Sequence, residues 1–183
     1  MIRPGDILEN PVTGERLTFR RTAAESNGAA VLVETTVRPD RVVAAAHVHP
    51  YQPERFEVLS GTLGLELGGE TITARPNEKL TIEPGRAHKF WNAGDYELRF
   101  LTEITPALMF ESLIETMFGL AADGKTNGKG LPNPLRLAVI ARAHFDTVRL
   151  PFPPAALQRT ALAFGAPLGR ALGYQPTYCA RLG

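Results

Sequence analysis

The sequence is poor in cysteine, in long apolar runs and in net charge, and each shortage argues against a class of protein. Cys179 is the one cysteine among 183 residues, so no intramolecular disulfide can form. No run of 18 apolar residues occurs, which argues against a transmembrane helix. Twenty basic and nineteen acidic residues give a formal charge of +1, so no overall field attracts nucleic acid or an anionic membrane.

The remaining composition is that of a globular protein. Hydrophobic residues make up 44% and charged residues 21% of the chain, which is enough to bury one core. The N-terminal stretch MIRPGDILEN lacks the basic flank and apolar segment of a signal peptide. With the low cysteine content, this predicts a cytoplasmic location.

Short strand patterns run from Leu17 to about Thr105. β-branched and aromatic residues recur in short runs separated by Gly, Pro, Asn or Asp, and Gly68-Gly69 between two alternating runs is typical of a hairpin. The clearest runs are 30–38, 42–49, 56–60, 62–67, 70–75, 79–82, 88–92 and 97–105. Eight such runs predict an all-β domain over residues 1–105, built as a sandwich or barrel.

Helical patterns replace the strand patterns after Thr105. Apolar residues recur at helical spacing at Leu113, Ile114, Met117 and Phe118. Thr105 as N-cap and Pro106 at the first helical position would start this helix. Asn133-Pro134 repeats that signal before a second helix that reaches about Val148, and a third helix is expected from Pro154 to Phe164.

The resulting helical extension, residues 106–183, must bury its apolar faces. It carries eight basic and four acidic residues. Four of its arginines, at 136, 142, 149 and 170, could form a weak basic face, but charges spread through amphipathic helices usually only keep those helices solvated. Nucleic-acid binding is therefore not expected. The extension should pack on the barrel or on the partner chain of a homodimer, because an exposed apolar face promotes association.

Three of the four histidines lie in two strings, HVHPYQPERFEVLSG and EPGRAHKFWN. His47 and His49 are two residues apart on a predicted strand, so both side chains leave the same face of the sheet. Glu54 follows five residues after His49, and His88 begins another strand three residues after Gly85. The fourth histidine, His144, is expected to lie on the surface or in helix packing.

These strings resemble the two motifs of the cupin family. The first fits His-x-His, three or four residues, Glu, six residues, Gly; the second fits Gly, two residues, His, three residues, Asn. Arg41 and Asn77 stand where many members have Gly, and Glu83 where many have Pro, but these are turn positions. Phrases of the tail also look like those of bacterial cupin-domain proteins with a helical C-terminal extension. The resemblance covers roughly residues 30–105.

The resemblance implies a double-stranded β-helix, or jelly-roll barrel, with one metal site. Its ligands would be His47, His49, Glu54 and His88. Three imidazoles and one carboxylate suit a divalent first-row ion such as Fe, Mn, Ni or Zn. Four protein ligands would leave two positions of an octahedral ion open for a small molecule.

Strand alternation also suggests neighbours of the site. If Glu54 faces inward, Phe56 and Val58 face inward with it, as pocket wall or as plain core. Phe90 and Asn92 share the face of His88, whereas Trp91 points the other way and could lie at a subunit contact. These four inward residues are the candidate substrate-binding residues. Glu103 is expected to be an exposed edge carboxylate.

Two functions fit this sequence. The first is a small mononuclear metalloenzyme that acts on an oxygen-rich or aromatic small molecule, with dioxygenase chemistry slightly ahead of isomerase chemistry. The second is a non-catalytic metal-dependent binding or sensor module, whose tail contacts a partner or a membrane surface. Ligand residues alone do not choose between them, and no catalytic residue beyond the ligands is assigned.

Overall fold

The computed structural model describes residues 2–39 and 45–179. Nine strands precede three helices in this part of the chain. The strands are β1 (Ile7–Glu9), β2 (Glu15–Arg21), β3 (Val31–Val37), β4 (Glu54–Ser60), β5 (Leu63–Leu67), β6 (Glu70–Ala74), β7 (Lys79–Ile82), β8 (His88–Asn92) and β9 (Leu98–Ile104). The helices are α1 (Phe110–Ala122), α2 (Pro134–Ala143) and α3 (Ala155–Ala171).

The strands form two antiparallel sheets. The larger sheet has six strands in the order β1-β2-β3-β9-β4-β7, and the smaller has the order β6-β5-β8. Strands distant in sequence are paired, as where β3 and β4 both flank β9. The fold is the predicted all-β cupin double-stranded β-helix followed by C-terminal helices.

Alternation along the strands fills the space between the two sheets. In β4 the side chains of Glu54, Phe56 and Val58 are buried, while Arg55 and Leu59 are exposed. This period of two places every second side chain in the interior. The resulting core cluster consists of Val37, Phe56, Val58, Leu63, Leu65, Ala74, Ile82, Leu98 and Phe100.

Three glycines are required by the geometry of the smaller sheet, two at a turn and one at a close contact. Gly68 and Gly69 both have positive φ angles, 61° and 91°, and they form the predicted hairpin between β5 and β6. Gly64 lies under the Trp91 ring, where an added Cβ would be 2.4 Å from Trp91 Cε2. Trp91 is thus partly buried against its own barrel.

The strand predictions need two corrections. Strand β1 was not predicted, and β2 was not among the clearest runs because only Leu17 and Phe19 mark its buried face, whose third residue is the charged Glu15. Residues 42–44 of the predicted run 42–49 lie outside the described residues, and so does Arg41. In its described part, His47 and Val48 make isolated bridges to His88 and Arg149 rather than forming a continuous strand.

The first helix begins at Phe110, not at Pro106. Residues 106–107 are held to the barrel: the Ala107 amide donates to the Gly28 carbonyl, and both residues' carbonyls accept from Gln52. Leu108 then adopts a positive φ of 43°, which breaks helical geometry. Tertiary hydrogen bonds therefore override the local Thr-Pro start signal.

The other helices follow the predicted starts but not the predicted ends. Asn133 caps α2 by accepting from the Arg136 amide, with Pro134 in the first turn, as predicted. Helix α2 ends at Ala143 because residues after His144 turn toward the bridge at Arg149. Helix α3 continues beyond Phe164 to Ala171, since Gly165 and Gly169 pack closely against α2.

Helix α1 shares a second apolar cluster with the N-terminal strands. Its Phe118 is buried with Phe19, Val31 and Ala107, and Ile114 packs against the same group. Helix α3, by contrast, makes its main contacts with α2. No helix in residues 2–39 and 45–179 is long and apolar enough to cross a membrane.

Candidate metal centre

Both sheets contribute ligands to a polar cluster at one end of the core. Glu54 begins β4 of the larger sheet, and His88 begins β8 of the smaller sheet. His47 pairs with His88 through two backbone hydrogen bonds of 2.9 and 3.0 Å. The next residue, Val48, pairs in the same way with Arg149 of the tail. The histidine segment is therefore held between the barrel and the extension.

The four predicted ligands are brought together. One ligand atom from each of His47, His49, Glu54 and His88 can be chosen so that all four lie within 4.8 Å of one another. Glu54 Oε2 is 2.6 Å from His88 Nε2, and Glu54 Oε1 is 3.5 Å from His49 Nε2. Two ligand atoms about 2.1 Å from one ion at a right angle would be about 3 Å apart, so these separations suit a single ion.

The outer nitrogen of each imidazole contacts an oxygen atom. The Nδ1 atoms of His47 and His88 lie 3.0 Å from the carbonyls of Ala45 and Arg86, respectively. A carbonyl can only accept, so each Nδ1 carries the hydrogen and each neutral ring has its lone pair on Nε2. Outer hydrogen bonds of this kind fix the orientation of metal-binding histidines.

His49 is oriented by a side chain, Gln52, which the sequence analysis did not single out. Gln52 is 1% exposed, and its Oε1 lies 3.1 Å from His49 Nδ1. Its Nε2 donates to the carbonyls of Pro106, at 2.7 Å, and Ala107, at 3.2 Å. Its position between the second histidine and the glutamate was the signal available in the sequence.

The charges of the cluster are strongly coupled. Burial lowers the pKa of His47 to about 4, with the His88 ring acting in the same direction. Burial alone would raise the pKa of Glu54, but the surrounding imidazoles, led by His49, lower it to about 2. Burial would lower the pKa of His88, but the Glu54 carboxylate raises it. The site thus keeps one buried carboxylate ionised among three imidazoles.

Two buried atoms of the cluster make no hydrogen bond. Glu54 Oε2 and His88 Nε2 are 2.6 Å apart, yet neither has a hydrogen-bond partner of acceptable geometry. Two lone pairs at this distance repel unless a proton or another cation lies between them. The donor set and the unpaired atoms therefore fit a divalent ion, which would accept electron pairs from both.

The four predicted substrate-binding residues differ in placement. Phe56 and Val58 are 2% and 1% exposed and belong to the apolar core. Phe90 is partly buried, with its ring centroid 6.0 Å from that of Phe56. Asn92 holds a turn: its Nδ2 donates to the carbonyls of Val37 and Tyr96, and its Oδ1 accepts from the Gly94 amide. A substrate role for these residues stays a prediction.

The extension contributes one aromatic ring beside the cluster. The Phe110 ring centroid lies 6.3 Å from that of His49, and His47 is the one ligand that is not fully buried. The cluster is therefore covered by Phe110 beside His49 and more open beside His47.

Two other polar residues are excluded from the cluster. His144 is 1% exposed, so a surface position is wrong; its Nδ1 contacts the Ile140 carbonyl at 2.9 Å in helix packing. Glu103 pairs with Arg21 and Arg55 on the outer face of the sheet, and its side chain is 30% exposed. Neither residue is a candidate ligand.

Two surface cavities lie away from the cluster. One, of about 570 Å³, is lined by the loop 124–127 and the start of α2. The other, of about 900 Å³, is lined by charged residues on the outer face of the larger sheet, including Arg20, Glu34 and Arg99. Neither cavity includes any of the four ligands, so neither is the space for a metal-bound molecule.

The comparison with protein families agrees with the ligand geometry. Residues 33–103 match the family described as Cupin domain. This segment is a cupin domain. It contains all four clustered residues and both strands that begin with a ligand. The N-terminal strands and the helical extension lie outside the matched segment.

A curated relative matches about a third of this chain. It is named Polyketide synthase CurC, from Streptomyces cyaneus, and is 38% identical over 60 residues. The match covers 33% of this chain and 39% of the relative. The chain therefore spans well under half the length of that protein.

Solved structures similar to this cupin domain come from several bacteria. An uncharacterized double-stranded β-helix protein from Klebsiella pneumoniae has a TM-score of 0.45 at 18% identity, covering 59% of this chain and 84% of that chain. A predicted oxalate decarboxylase from Thermotoga maritima has a TM-score of 0.48 at 18% identity, covering 58% and 98%. KdgF from Halomonas sp. has a TM-score of 0.48 at 15% identity, covering 55% and 86%. Their varied names identify no reaction for this chain.

Proposed function

We propose that this cupin binds one divalent first-row metal ion through His47, His49, Glu54 and His88 and acts on a small oxygenated molecule. The observation that supports this proposal is the convergence of three imidazoles on one ionised, buried carboxylate. Fe, Mn, Ni and Zn all accept such a mixed nitrogen and oxygen donor set.

The proposed reaction is of the dioxygenase type, with isomerisation as the next candidate. A bound ion would act as a Lewis acid toward a carbonyl or enol and, if it is iron, would also supply dioxygen chemistry. The protein's part is to hold the donor atoms in place and to keep Glu54 ionised. Phe110 restricts access beside His49, which leaves the His47 side for the small molecule.

The proposed substrate class is a chelating molecule with two neighbouring oxygen atoms, such as a catechol, a keto-enol or a hydroxy acid. Two oxygens can occupy the two positions that four protein ligands leave on an octahedral ion. The curated relative is named a polyketide synthase, and keto-enols are frequent among polyketides, so keto-enols are the first compounds to test.

A non-catalytic metal-dependent sensor is the second candidate function. The observation in its favour is that the residues near the ligands are mostly apolar core: Phe56 and Val58 are almost fully buried, and no general acid or base outside the ligand set contacts the cluster in the described residues. Such a module would bind the same chelating molecules without turnover.

Metal analysis of the purified protein tests the site. We expect about one ion per chain in the wild type, and we expect His88→Ala to weaken binding more than 100-fold, beyond the 10–100-fold effects of outer hydrogen-bond partners. His144→Ala is the control, because it removes another buried histidine that is not a ligand. Equal metal content in the wild type and His88→Ala, with the fold intact by circular dichroism, would refute the assignment.

Turnover separates the two candidate functions. Protein reconstituted with each of the four metals is incubated with the substrate panel, with dioxygen uptake and product formation as readouts. Metal-dependent turnover supports the enzyme. Saturable binding by calorimetry without turnover for any metal and any panel compound supports the sensor.

The proposed setting is the cytoplasm, with a small molecule as ligand and no role for nucleic acid, because charge is nearly balanced over the chain. We further propose that residues 1–105 act as the barrel domain and residues 106–183 as an extension that packs on the barrel and forms a homodimer. Helix α3 supplies the observation that favours the homodimer.

Helix α3 presents an uncharged apolar stripe to solvent. Leu157, Phe164, Leu168 and Leu172 are each at least 60% exposed, whereas the small residues Gly165 and Gly169 of the same helix pack against α2. Arg159 and Arg170 each follow a stripe leucine by two positions, which at 3.6 residues per turn puts them on the opposite side of the helix. A second copy would therefore meet this stripe without charge repulsion.

The stripe has the spacing and sizes expected for self-pairing. Leu157, Ala161, Phe164 and Leu168 follow one another at intervals of four, three and four residues, as in a two-helix seam. In an antiparallel pair centred between Ala161 and Phe164, each Phe164 faces Ala161 of the second copy, and each Leu157 faces Leu168. Large side chains then lie opposite small ones at the centre, which favours close packing.

The area of the stripe also suits a second copy. Four large side chains would each bury on the order of 100 Å² of apolar surface. The same stripe from both chains buries about 800 Å², which is most of the ~1,000 Å² that a specific interface requires, so flanking residues of the helix would have to supply the remainder. We therefore propose the α3 stripe as the homodimer interface.

Light scattering at tens of micromolar tests this interface. We expect a dimer for the wild type, a monomer for Leu168→Asp and a dimer for Ala163→Asp, which adds the same charge on another exposed side of α3. A monomeric wild type would refute the homodimer. A dimeric Leu168→Asp variant would refute the stripe as the dimer interface. The stripe would also be refuted as the dimer interface if the wild type bound lipid vesicles and Leu168→Asp abolished that binding, because the stripe would then contact a membrane.

A further inference from the structure

Gln52 connects the metal centre to the beginning of the extension. Its side chain is 1% exposed, and it contacts His49 on one side and the Pro106 and Ala107 carbonyls on the other. His49 is three residues from Gln52, whereas the two carbonyls are 54 and 55 residues away. The side chain therefore links two distant parts of the chain through the barrel end.

The two carbonyls determine which way the amide of Gln52 points. Both are acceptors, so they require the NH₂ group of the amide, and Oε1 must then face His49. An amide oxygen is also only an acceptor, so His49 Nδ1 must donate a hydrogen to it. The neutral His49 ring consequently keeps its lone pair on Nε2, the atom that lies 3.5 Å from Glu54 Oε1.

The hydrogen bond that orients His49 differs in kind from those that orient His47 and His88. His47 and His88 rest on backbone carbonyls two residues before them, Ala45 and Arg86, which no substitution removes. His49 rests on a side chain whose orientation is imposed by residues 106–107. Its tautomer is thus set by the tertiary contact with the extension.

We propose that Gln52 is a positioning residue that fixes the tautomer of His49 and so makes the start of the extension part of the metal centre. This inference rests on the proposed metal function. The consequence is that metal affinity depends on the hydrogen bond from His49 Nδ1 to Gln52 Oε1. The Gln52 amide that accepts this bond is held in place by carbonyls outside the segment that matches the cupin family.

Two variants separate the acceptor of Gln52 from its donors. Gln52→Met keeps the volume and loses both functions, whereas Gln52→Glu loses the donors to the carbonyls and keeps an acceptor toward His49. Gln158→Met is the control, because Gln158 also donates its amide to two backbone carbonyls, those of Leu150 and Pro153, without contacting a histidine.

The tautomer is read from long-range ¹H–¹⁵N spectra of the metal-free protein, with the His49 signals assigned by a His49→Gln variant. We expect the Nδ1-protonated form in the wild type, in Gln52→Glu and in Gln158→Met. We expect the Nε2-protonated form to become populated in Gln52→Met. A His49 tautomer that is unchanged in Gln52→Met would overturn the proposal, because Gln52 would then not determine it. This measurement needs no bound metal, so it does not depend on the proposed function.

Metal titration is the second readout. We expect zinc affinity to fall 10–100-fold in Gln52→Met and to remain within a few-fold of wild type in Gln158→Met, with all folds intact by circular dichroism. Equal affinity of Gln52→Met and wild type would overturn the coupling. A wild type that binds no metal would refute the proposed function, while the spectra would still decide whether Gln52 sets the tautomer.

Discussion

The metal end of the barrel buries polar groups, whereas helix α3 exposes apolar side chains, and each arrangement costs free energy unless it is compensated. At the barrel end, polar groups are buried, and each imidazole has a hydrogen-bond partner behind it. In α3, small residues are used for internal packing, and large apolar side chains are left in solvent. The barrel end therefore gathers donor atoms that suit a cation, whereas within the described residues the large side chains of α3 stay exposed.

The comparison shows what each region requires from outside the chain. A buried carboxylate that keeps its charge needs positive charge or hydrogen-bond donors nearby, and at the barrel end a divalent ion bound by Glu54 and the three neutral imidazoles would supply the positive charge. An exposed apolar stripe needs a second apolar surface. A metal ion should therefore stabilise the first region alone, and a second copy the second region alone.

The largest contrast is expected from truncating a phenylalanine in each region. Phe56→Ala should destabilise the fold by about 3–5 kcal/mol, because Phe56 is 2% exposed in the core next to the ligands. Phe164→Ala should change stability by less than about 0.5 kcal/mol, because Phe164 is 73% exposed. Urea unfolding of both variants in the monomeric Leu168→Asp background measures the difference. A similar loss for both would mean that α3 is buried by its own chain.

Metal addition is expected to have the next largest effect. An ion at one hundred times its dissociation constant should stabilise the folded chain by about 2.7 kcal/mol. In hydrogen-exchange measurements, the added protection should lie in residues 45–54 and 86–92 and not in α3. Glu54→Gln should abolish the effect because it removes the carboxylate charge. Equal added protection in α3 would show that the two regions are not independent.

The smallest effect on the free energy of unfolding is expected from protonation of His144 in the extension at acid pH. Burial lowers the pKa of His144, so the unfolded chain binds a proton more readily than the folded chain. Stability from this residue is complete above about pH 6.5 and falls as the pH drops below it, by at most about 1.4 kcal/mol per pH unit.

Chemical unfolding between pH 7 and pH 5 with a chelator present measures this loss. We expect His144→Gln to show a weaker dependence than the wild type. At the barrel end the shifts oppose each other, since the pKa of His47 is lowered and that of His88 is raised. Identical pH dependence in wild type and His144→Gln would assign the acid sensitivity to the barrel end instead.

Much of the barrel was predictable because its strands obey a local rule. Alternation in β4 places Glu54, Phe56 and Val58 on one face without reference to any other strand. Strand β2 was less evident because its buried face has only two apolar residues, Leu17 and Phe19, beside the charged Glu15. The start of α1 was mispredicted because the carbonyls of residues 106–107 bond to Gln52, which lies more than fifty residues earlier in the chain.

The ligand set itself was available in the sequence, since each ligand occurs at a spacing that the cupin motifs define. What sequence spacing could not supply is the set of groups that hold the imidazoles in place. Gln52 lies between two ligands in the sequence, but its role depends on where residues 106–107 cross the end of the barrel. The bridge between Val48 and Arg149 is a similar case, because it joins segments a hundred residues apart.

The sequence by itself determined the all-β barrel, the helical extension and the four residues gathered at one end, because strand alternation and motif spacing are local properties. Only the tertiary structure decided that His49 and His88 present Nε2 to Glu54, that Gln52 connects His49 to the extension, and that the large apolar side chains of α3 remain exposed. These features depend on contacts between segments distant in the chain, which no local pattern specifies.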